Sequence, residues 1–309
     1  MKKIDLHILN TIWSDCMILS KDNHHGFIDT ASAFYLPDVM YLIDELKIKE
    51  LDFIIITHWH HDHYGNAEEI IKKIPVKALY LKHYHGVDGS TSAGLESSEK
   101  YLENERKQYN NLIKSAKERN VNIIYLDDLN NYEYTIDFYG QDIELYDLKN
   151  RLWLTYNDPT SPYYHEYHFN QNYNSIGIFL KINDLNVFLG GDLSAAKLDL
   201  EDYSQLSIKI INRIYEKHHI DHIDFYKASH HGCGGSPLTL TNLMKARFVV
   251  ITNSPRWLDN YDTISNLKEA NKDVKIFITD YHLYHFSFDK DITYQDEYKE
   301  SLFITLNKT

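Results

Sequence analysis

Short apolar segments with the alternation typical of strands recur along the chain, and segments with helical spacing separate many of them. Residues 156–174 are polar and aromatic and are predicted to form a long loop. Loops of this length are usually functional or disordered. In the first half, the pattern predicts in order strands at 3–9, 15–20 and 25–29, a helix at 36–48, a strand at 51–57, a helix at 67–74, a strand at 76–82, a helix at 96–119, and strands at 122–126, 133–138, 142–146 and 151–155.

The second half shows a similar alternation. Strands broken by helices in both halves indicate an α/β (α+β) chain with two sheets and helices outside them. No repeat, low-complexity tract or Pro/Gly-rich linker divides the sequence, so we expect one domain over 1–309. The predicted elements are a hairpin of strands 175–182 and 186–192 around Asn183–Asp184, a helix at 203–218, a strand at 222–228, a helix at 238–244, and strands at 247–253, 275–279 and 282–288.

Metal-type ligands cluster directly after the first long apolar strand. His58 and His60 lie two positions apart on an extended segment, so both side chains are expected on one side, where they can share a cation. Asp62 and His63 follow at the turn into the next helix, where they can face a second cation. His61 points away from its neighbours in this arrangement, and we interpret it as a bystander.

Two later strand ends carry further candidate ligands. Gly190 and Gly191 allow a close backbone approach just before Asp192, whose carboxylate can lend one oxygen to each of two cations. His230 and His231 follow a later strand. We expect His231 to ligate and His230 to act beside the site or on the substrate.

These ligands divide between two sites that share one carboxylate. Mixed nitrogen and oxygen ligands without thiolate suit Zn²⁺, with Mn²⁺ or Fe²⁺ as alternatives. Two such cations about 3.5–4 Å apart would share a water and lower its pKa to about 7. Asp62 and His230 are therefore the candidate catalytic residues. The two sites share Asp192, with His58 and His60 for the first cation and Asp62, His63 and His231 for the second.

At these residues the sequence resembles the metallo-β-lactamase superfamily through its H-x-H-x-D-H motif. More narrowly, it is similar to the metallo-β-lactamase domain of ComEC-type competence proteins and to the catalytic module of choline-binding phosphorylcholine esterases. The resemblance covers roughly residues 4–288. It implies a four-layer αββα sandwich, a di-metal site at one edge of the two sheets, and phosphodiester hydrolysis supported by Asp15 and Asp29. The segments that carry it are Asp15, Asp29-Thr30, 51–66, Tyr80–Lys82, Asn172, Asn174-Ser175, 187–193 and 227–232.

One departure concerns the first metal. Many members of the superfamily supply a third histidine to it from the loop before the strand at 175–182. Here Asn172 stands in that place, so either its carbonyl or an open position replaces the imidazole. His165 and His168, nearby on the long loop, are alternative ligands.

Substrate contacts are expected around the metals. Asn172 is one candidate, and His83 and His85, which follow a strand, could protonate a leaving group. Trp257 falls near a tryptophan of the esterase module. Four aromatic residues could form a wall for a cationic head group such as choline: Trp257, Trp59, Tyr64 and Tyr84. The alternative is that these side chains simply pack in the fold.

Composition narrows the partners. The 309-residue chain has 32 Lys and Arg against 45 Asp and Glu, a net charge of −13, which weighs against long contacts with nucleic acid. Two cysteines cannot form a disulfide framework, and no apolar run is long enough for a membrane span. Polar residues interrupt any signal-peptide core at the N-terminus, so we expect a cytoplasmic protein.

The leading hypothesis is a di-metal hydrolase of a small or medium phosphodiester. Three alternatives remain at this stage. They are a nuclease of the competence type, a lactone or β-lactam hydrolase that attacks acyl groups with the same site, and a metal-binding module without turnover.

Overall fold

The structure is a computed structural model. It describes residues 3–84, 99–129, 133–147, 153–155, 167–169, 172–193, 197–198, 201–202 and 204–301. The strands are β1 (Ile4–Ile8), β2 (Cys16–Lys21), β3 (His24–Thr30), β4 (Leu51–Ile55), β5 (Val76–Leu81), β6 (Asn122–Tyr125), β7 (Glu133–Phe138), β8 (Gln141–Tyr146), β9 (Trp153–Thr155), β10 (Tyr167–Phe169), β11 (Gly177–Ile182), β12 (Leu185–Leu189), β13 (Lys197–Leu198), β14 (Glu201–Asp202), β15 (Phe225–Lys227), β16 (Phe248–Ile251), β17 (Lys275–Ile278), β18 (His282–Phe288) and β19 (Ile292–Tyr298). The α-helices are α1 (Leu36–Glu45), α2 (His61–Tyr64), α3 (Ala67–Lys73), α4 (Glu99–Glu118), α5 (Ser204–His218), α6 (Leu238–Met244), α7 (Pro255–Leu258) and α8 (Thr263–Ala270).

Two large sheets organise these strands. The first has eight strands in the order β19-β18-β1-β2-β3-β4-β5-β6, and the second has seven in the order β17-β16-β15-β12-β11-β8-β7. Strands β3 to β6 are parallel, and so are β12, β15, β16 and β17. Each sheet therefore has a parallel half, whose strands all end at one edge.

The apolar pattern explains the layering. In β1, the alternating Ile4, Leu6 and Ile8 face a core that both sheets share. The apolar run of β4 is buried on both sides: Phe53 joins this shared core, whereas Ile54 joins the core under the helices. Helices α1, α3 and α4 cover the first sheet, and α5, α6 and α8 cover the second. The result is the four-layer α/β sandwich that the sequence predicts.

Several predicted boundaries need correction. The strand expected over 51–57 ends at Ile55, and the helix expected over 36–48 ends at Glu45. The loop expected over 156–174 contains a short strand, β10, and a 3₁₀ turn at Asn172–Asn174. The sequence analysis missed α7, α8 and β19. In β19 only Ile292 is buried, so this edge strand lacks the apolar alternation that reveals the other strands.

Within the described ranges, no helix is both long enough and apolar enough to cross a bilayer.

A partly buried histidine pair makes part of the fold sensitive to acid. His7 on β1 and His285 on β18 are opposite each other, and their Nδ1 atoms share a hydrogen bond. Burial, together with the nearby His285, lowers the pKa of His7 to about 4. The unfolded chain takes up this proton near pH 6.5, whereas the folded chain does so only near pH 4. His7 thus contributes stability above pH 6.5, and this contribution is lost as the pH falls from 6.5 to 4.

We therefore expect His7→Gln to make the free energy of unfolding less dependent on pH in the acid range. Between pH 6.5 and pH 4, the free energy of unfolding should fall by about 3 kcal/mol less in the variant than in the parent. Urea denaturation at several pH values measures this difference. His282→Gln, a change at a more exposed position of the same strand β18, is the control and should follow the parent. Parallel pH profiles for His7→Gln and the parent would contradict the assignment.

Candidate metal centre

The polar residues of the site lie at the ends of strands, at one edge of the sandwich. His58 follows β4, and Asp192 and His231 follow β12 and β15. Because β12 and β15 are parallel neighbours, Asp192 and His231 leave the second sheet at the same edge. The glycines before Asp192 fit this crowding. A Cβ on Gly190 would lie 2.1 Å from Ser229 Oγ, and Gly191 has a φ of +51°.

One group of ligand atoms surrounds Asp192. Its Oδ2 lies 3.3 Å from His63 Nε2 and 3.3 Å from His231 Nε2. Asp62 Oδ2 lies 3.1 Å from the same His231 nitrogen and 3.6 Å from the same His63 nitrogen. Two imidazoles and two carboxylates therefore converge through Nε2 and Oδ2 atoms, which is a ligand set that can hold a divalent cation.

A second group shares Asp192 with the first. His58 Nε2 lies 2.9 Å from His60 Nδ1 and 3.8 Å from Asp192 Oδ2. The rings of His58 and His63 are adjacent, with centroids 4.1 Å apart, so the two groups are neighbours. His61 lies at the surface, with 63% of its side chain exposed. The structure thus brings together every residue of the two predicted ligand sets.

Buried carboxylates hold the other nitrogen of two imidazoles. His63 Nδ1 donates to Asp29 Oδ2 at 2.7 Å, and Asp29 also accepts from the backbone N–H and hydroxyl of Thr57. His231 Nδ1 lies 3.2 Å from Asp15 Oδ1, beside the Thr252 hydroxyl. A carboxylate on Nδ1 orients the ring and leaves Nε2 free to bind a cation.

Asp15 has a further partner that distinguishes it from Asp62. Its Oδ2 accepts a hydrogen bond from the fully buried Lys227 ammonium, which also donates to the Gly191 carbonyl at 3.3 Å. Asp15 is close enough to His63, Asp192 and His231 to be counted with them. However, it is on the Nδ1 side of both imidazoles, whereas Asp62 is on the Nε2 side. We therefore interpret Asp62 as the better placed fourth ligand.

The His-His pair has an unusual backbone. His230 and His231 both adopt left-handed conformations, with φ of 52° and 50°, which are costly for residues other than glycine. The two rings consequently diverge, with centroids 6.2 Å apart. His231 reaches Asp62 and Asp192, whereas His230 Nε2 lies 3.2 Å from the Asn172 side-chain nitrogen.

Electrostatics couple the groups of the site. Burial alone would raise the pKa of Asp192, but His231 and His63 hold it well below its usual range. Burial would lower the pKa of His63, but Asp192, Asp29 and Asp62 raise it well above. By contrast, burial and the adjacent His63 lower the pKa of His58 well below its usual value. His58 is therefore a neutral imidazole, the form that binds metal.

The donor set fits a divalent cation. In the described part of the chain, His63 Nε2 and Asp192 Oδ1 are buried without a hydrogen-bond partner. Four carboxylates, those of Asp15, Asp29, Asp62 and Asp192, lie in this cluster, and their charges raise the pKa values of Lys227, His63 and His231. Orphaned ligand atoms and a concentration of carboxylates are the conditions that cations at this position would relieve.

Other predicted residues lie elsewhere. His83 is bonded to Asp127 and stacked on Tyr125, with ring centroids 3.8 Å apart, and no described contact links it to the cluster. Trp59 and Tyr64 are buried and pack together, so they are not the exposed wall that was considered. His85, His165 and the side chain of His168 lie outside the described residues.

Three residues of this region escaped the sequence analysis. Trp13 is exposed beside Trp257, with ring centroids 5.3 Å apart. Lys227 appeared only as part of a shared motif, and Thr252 did not appear at all. No local spacing marks these residues, because each meets its partners only through tertiary contacts between distant loops.

A family model described as the metallo-beta-lactamase superfamily matches residues 28–148. Over this segment the chain is similar to the metallo-beta-lactamase superfamily. The matched segment includes His58, His60, Asp62 and His63 and ends before Asp192. No curated protein matches the chain in sequence.

Several solved structures match the chain at low sequence identity. The metallo-beta-lactamase fold protein YhfI from Bacillus subtilis is 9% identical, with 96% of this chain and 100% of that chain covered and a TM-score of 0.49. Tm1679, described as a metal-dependent hydrolase of the beta-lactamase superfamily, is 10% identical, with 89% and 95% covered and a TM-score of 0.47. Zn²⁺-bound PqqB from Methylobacterium extorquens is 13% identical, with 85% and 84% covered and a TM-score of 0.45.

Proposed function

We propose that this protein is a phosphodiesterase that uses two divalent cations, preferably Zn²⁺, on a small or medium phosphodiester. The observation that carries the proposal is that two ligand groups share one carboxylate, Asp192. His58 and His60 would hold the first cation with Asp192, and Asp62, His63 and His231 would hold the second. Members of the superfamily are mostly hydrolases.

Each set of residues has a distinct part in this reaction. When bound, the two cations would neutralise the phosphoryl oxygens and lower the pKa of an attacking water. Among the described residues the first set has two imidazoles besides Asp192, so this set would leave coordination positions open for substrate oxygens. Asp29 and Asp15 keep the rings of His63 and His231 in the orientation that the cations require.

His230 is the proposed hydrogen-bond donor to the substrate. Burial lowers its pKa, so the ring is neutral and has one N–H group. The Asn172 side-chain nitrogen faces His230 Nε2 and can only donate, so the ring hydrogen is on Nδ1. Nδ1 is buried without a hydrogen-bond partner within the described ranges, as is Asn172 Oδ1. His230 Nδ1–H can therefore donate to a phosphoryl or leaving-group oxygen, whereas Asn172 Oδ1, which only accepts, can bind a cation.

The preference for phosphodiesters over acyl substrates rests on the resemblance to the two branches in which asparagine stands before the 177–182 strand. The net charge of −13 continues to disfavour long nucleic acids. A lactone hydrolase, a nuclease and a silent metal-binding module are the alternatives that the experiment must separate.

The test measures hydrolysis by metal-loaded protein across a substrate panel. We expect turnover of bis-p-nitrophenyl phosphate, with weaker or no turnover of lactones, β-lactams and duplex DNA. A strong chelator should remove the activity, and Zn²⁺ or Mn²⁺ should restore it. Asp62→Ala and His60→Ala should each abolish hydrolysis, because each removes a metal ligand that no neighbouring imidazole or carboxylate replaces. Circular dichroism should show a retained fold in both variants.

His61→Ala is the matched control, because His61 is adjacent in sequence and exposed. It should retain the parental rate. Parental activity in Asp62→Ala, or activity that survives metal removal, would overturn the proposal. Stoichiometric metal without turnover of any substrate would instead identify a binding module.

A further inference from the structure

Two exposed tryptophans lie on loops that also build the metal centre. Trp13 is 47% exposed and Trp257 is 40% exposed, and their rings contact each other at a centroid distance of 5.3 Å and an angle of 44°. Large apolar side chains exposed as a pair are unfavourable in water unless they serve as a contact surface. We call this pair the tryptophan platform.

The loop that carries Trp13 is bonded to the backbone of a candidate metal ligand. Its next two residues hold the backbone of Asp62: the Ser14 hydroxyl and the Asp15 N–H both donate to the Asp62 carbonyl. The side chain of Asp62 remains 17% exposed. The Trp13 N–H donates to the Thr252 carbonyl, and the Thr252 hydroxyl contacts His231. Trp13 is therefore tied to two sides of the second ligand group.

Trp257 is anchored to the same region from the other side. It belongs to α7, whose Leu258 packs against Gly232, the residue after His231. The Asn253 side chain, just before α7, donates to the His231 carbonyl at 3.0 Å. The chain thus positions both tryptophans from residues that hold His231 in place.

Backbone strain at Trp13 indicates that its position is not incidental. Its φ of 53° is in the left-handed region, which is rare and costly for a bulky residue. The fold maintains this conformation while leaving the ring exposed. Burial of the indole therefore does not compensate the strain; the hydrogen bond from the Trp13 N–H to the Thr252 carbonyl holds the backbone, and the ring stays available for a contact.

Arg256 decides which chemical group suits the platform. Its guanidinium lies 5.2 Å from the centroid of the Trp257 ring. A quaternary ammonium group such as choline would meet this like charge, whereas a planar, uncharged aromatic ring could stack on the indoles. The same guanidinium would attract an anionic phosphoryl group.

We infer that the tryptophan platform binds a planar aromatic group of the substrate, so that the preferred substrate is a phosphodiester with a nucleobase-like ring on one ester group. This inference rests on the proposed phosphodiesterase function and specifies its substrate class. Stacking of this kind on exposed aromatic rings is tolerant of base identity.

The test measures binding, separately from turnover, by calorimetry on the metal-loaded protein. Adenosine 5′-monophosphate is compared with ribose 5-phosphate, which has the same phosphate and sugar without the ring, and with phosphocholine. We expect the nucleotide to bind roughly tenfold to a hundredfold more tightly than ribose 5-phosphate. In the Trp13→Ala/Trp257→Ala double variant this advantage should disappear, and Trp13→Phe should retain part of it.

Tyr139→Ala is the matched control. Tyr139 is 45% exposed but bonds to Asp52 near the start of β4, at the opposite end of the sheet from His58. It should keep the nucleotide preference. Equal binding of the nucleotide and ribose 5-phosphate, a preference for phosphocholine, or an unchanged preference in the double variant would each overturn the inference. Hydrolysis of bis-p-nitrophenyl phosphate is scored separately, so a failure of the platform can be distinguished from a failure of the proposed function.

Discussion

Asp192→Asn should remove the first cation, weaken binding of the second and abolish most of the activity. The carboxylate is shared by both ligand groups, so its loss leaves the first group with two imidazoles and weakens the second. Because cation stabilisation of the phosphoryl transfer contributes several kcal/mol, kcat/KM for bis-p-nitrophenyl phosphate should fall by at least about a thousandfold. Elemental analysis of the purified variant should show the loss of the first cation and reduced occupancy of the second.

Asp224→Asn separates this effect from the general cost of changing a buried carboxylate. Asp224 is also buried, but it lies just before β15, at the opposite end of that strand from His231, and binds Arg247 and the Asn186 N–H. Its variant should keep the parental metal content, whatever it does to stability. If Asp192→Asn bound two cations and hydrolysed the substrate at the parental rate, the shared-carboxylate arrangement would be wrong.

Lys227→Met should produce the largest loss of stability. Lys227 and Asp15 are both fully buried, and Asp15 has no other ammonium in contact within the described ranges. Removing the ammonium leaves the buried Asp15 carboxylate beside the His231 imidazole and the Thr252 hydroxyl but without its strongest counter-charge, which should lower the free energy of unfolding by about 3–5 kcal/mol. Urea denaturation of the metal-free protein measures this change without a contribution from bound cations.

Two further variants separate charge from packing. Lys72→Met, which breaks an exposed pair with Glu68 and Glu69, should cost less than about 1 kcal/mol. Asp15→Asn in the Lys227→Met background should recover part of the loss, because the neutral amide no longer needs a counter-charge and can still accept from His231. If Lys227→Met alone lowered the free energy of unfolding by less than about 1 kcal/mol, the Lys227–Asp15 pair would not stabilise the fold as we expect.

The sequence predicts the parts of the site that depend on local geometry. His58, His60, Asp62 and His63 lie within six positions, and their spacing alone brings them close together. Asp192 could be anticipated because it directly follows an apolar strand. The family model ends before Asp192, so its placement rests on the strand pattern and on the architecture that the resemblance implies.

Contacts between distant loops could not be anticipated in this way. Lys227 and Asp15 are 212 positions apart, and their pairing depends on how the two sheets pack. The choice between His230 and His231 depends on two left-handed residues, a conformation that no sequence pattern here indicates. Trp257 was predicted as a substrate contact, whereas its partner Trp13 was missed because nothing near it in sequence suggests a surface site.

The position of β1 has a consequence for how the chain is synthesised. This strand lies between β2 and β18, and Ile4 pairs with Phe288, 284 positions away. A nascent chain therefore holds an open sheet edge until almost the whole protein has left the ribosome, and closing such long-range contacts slows folding. The imidazole cluster emerges well before Asp192 and His231, so the complete ligand set forms only as a late event in biogenesis.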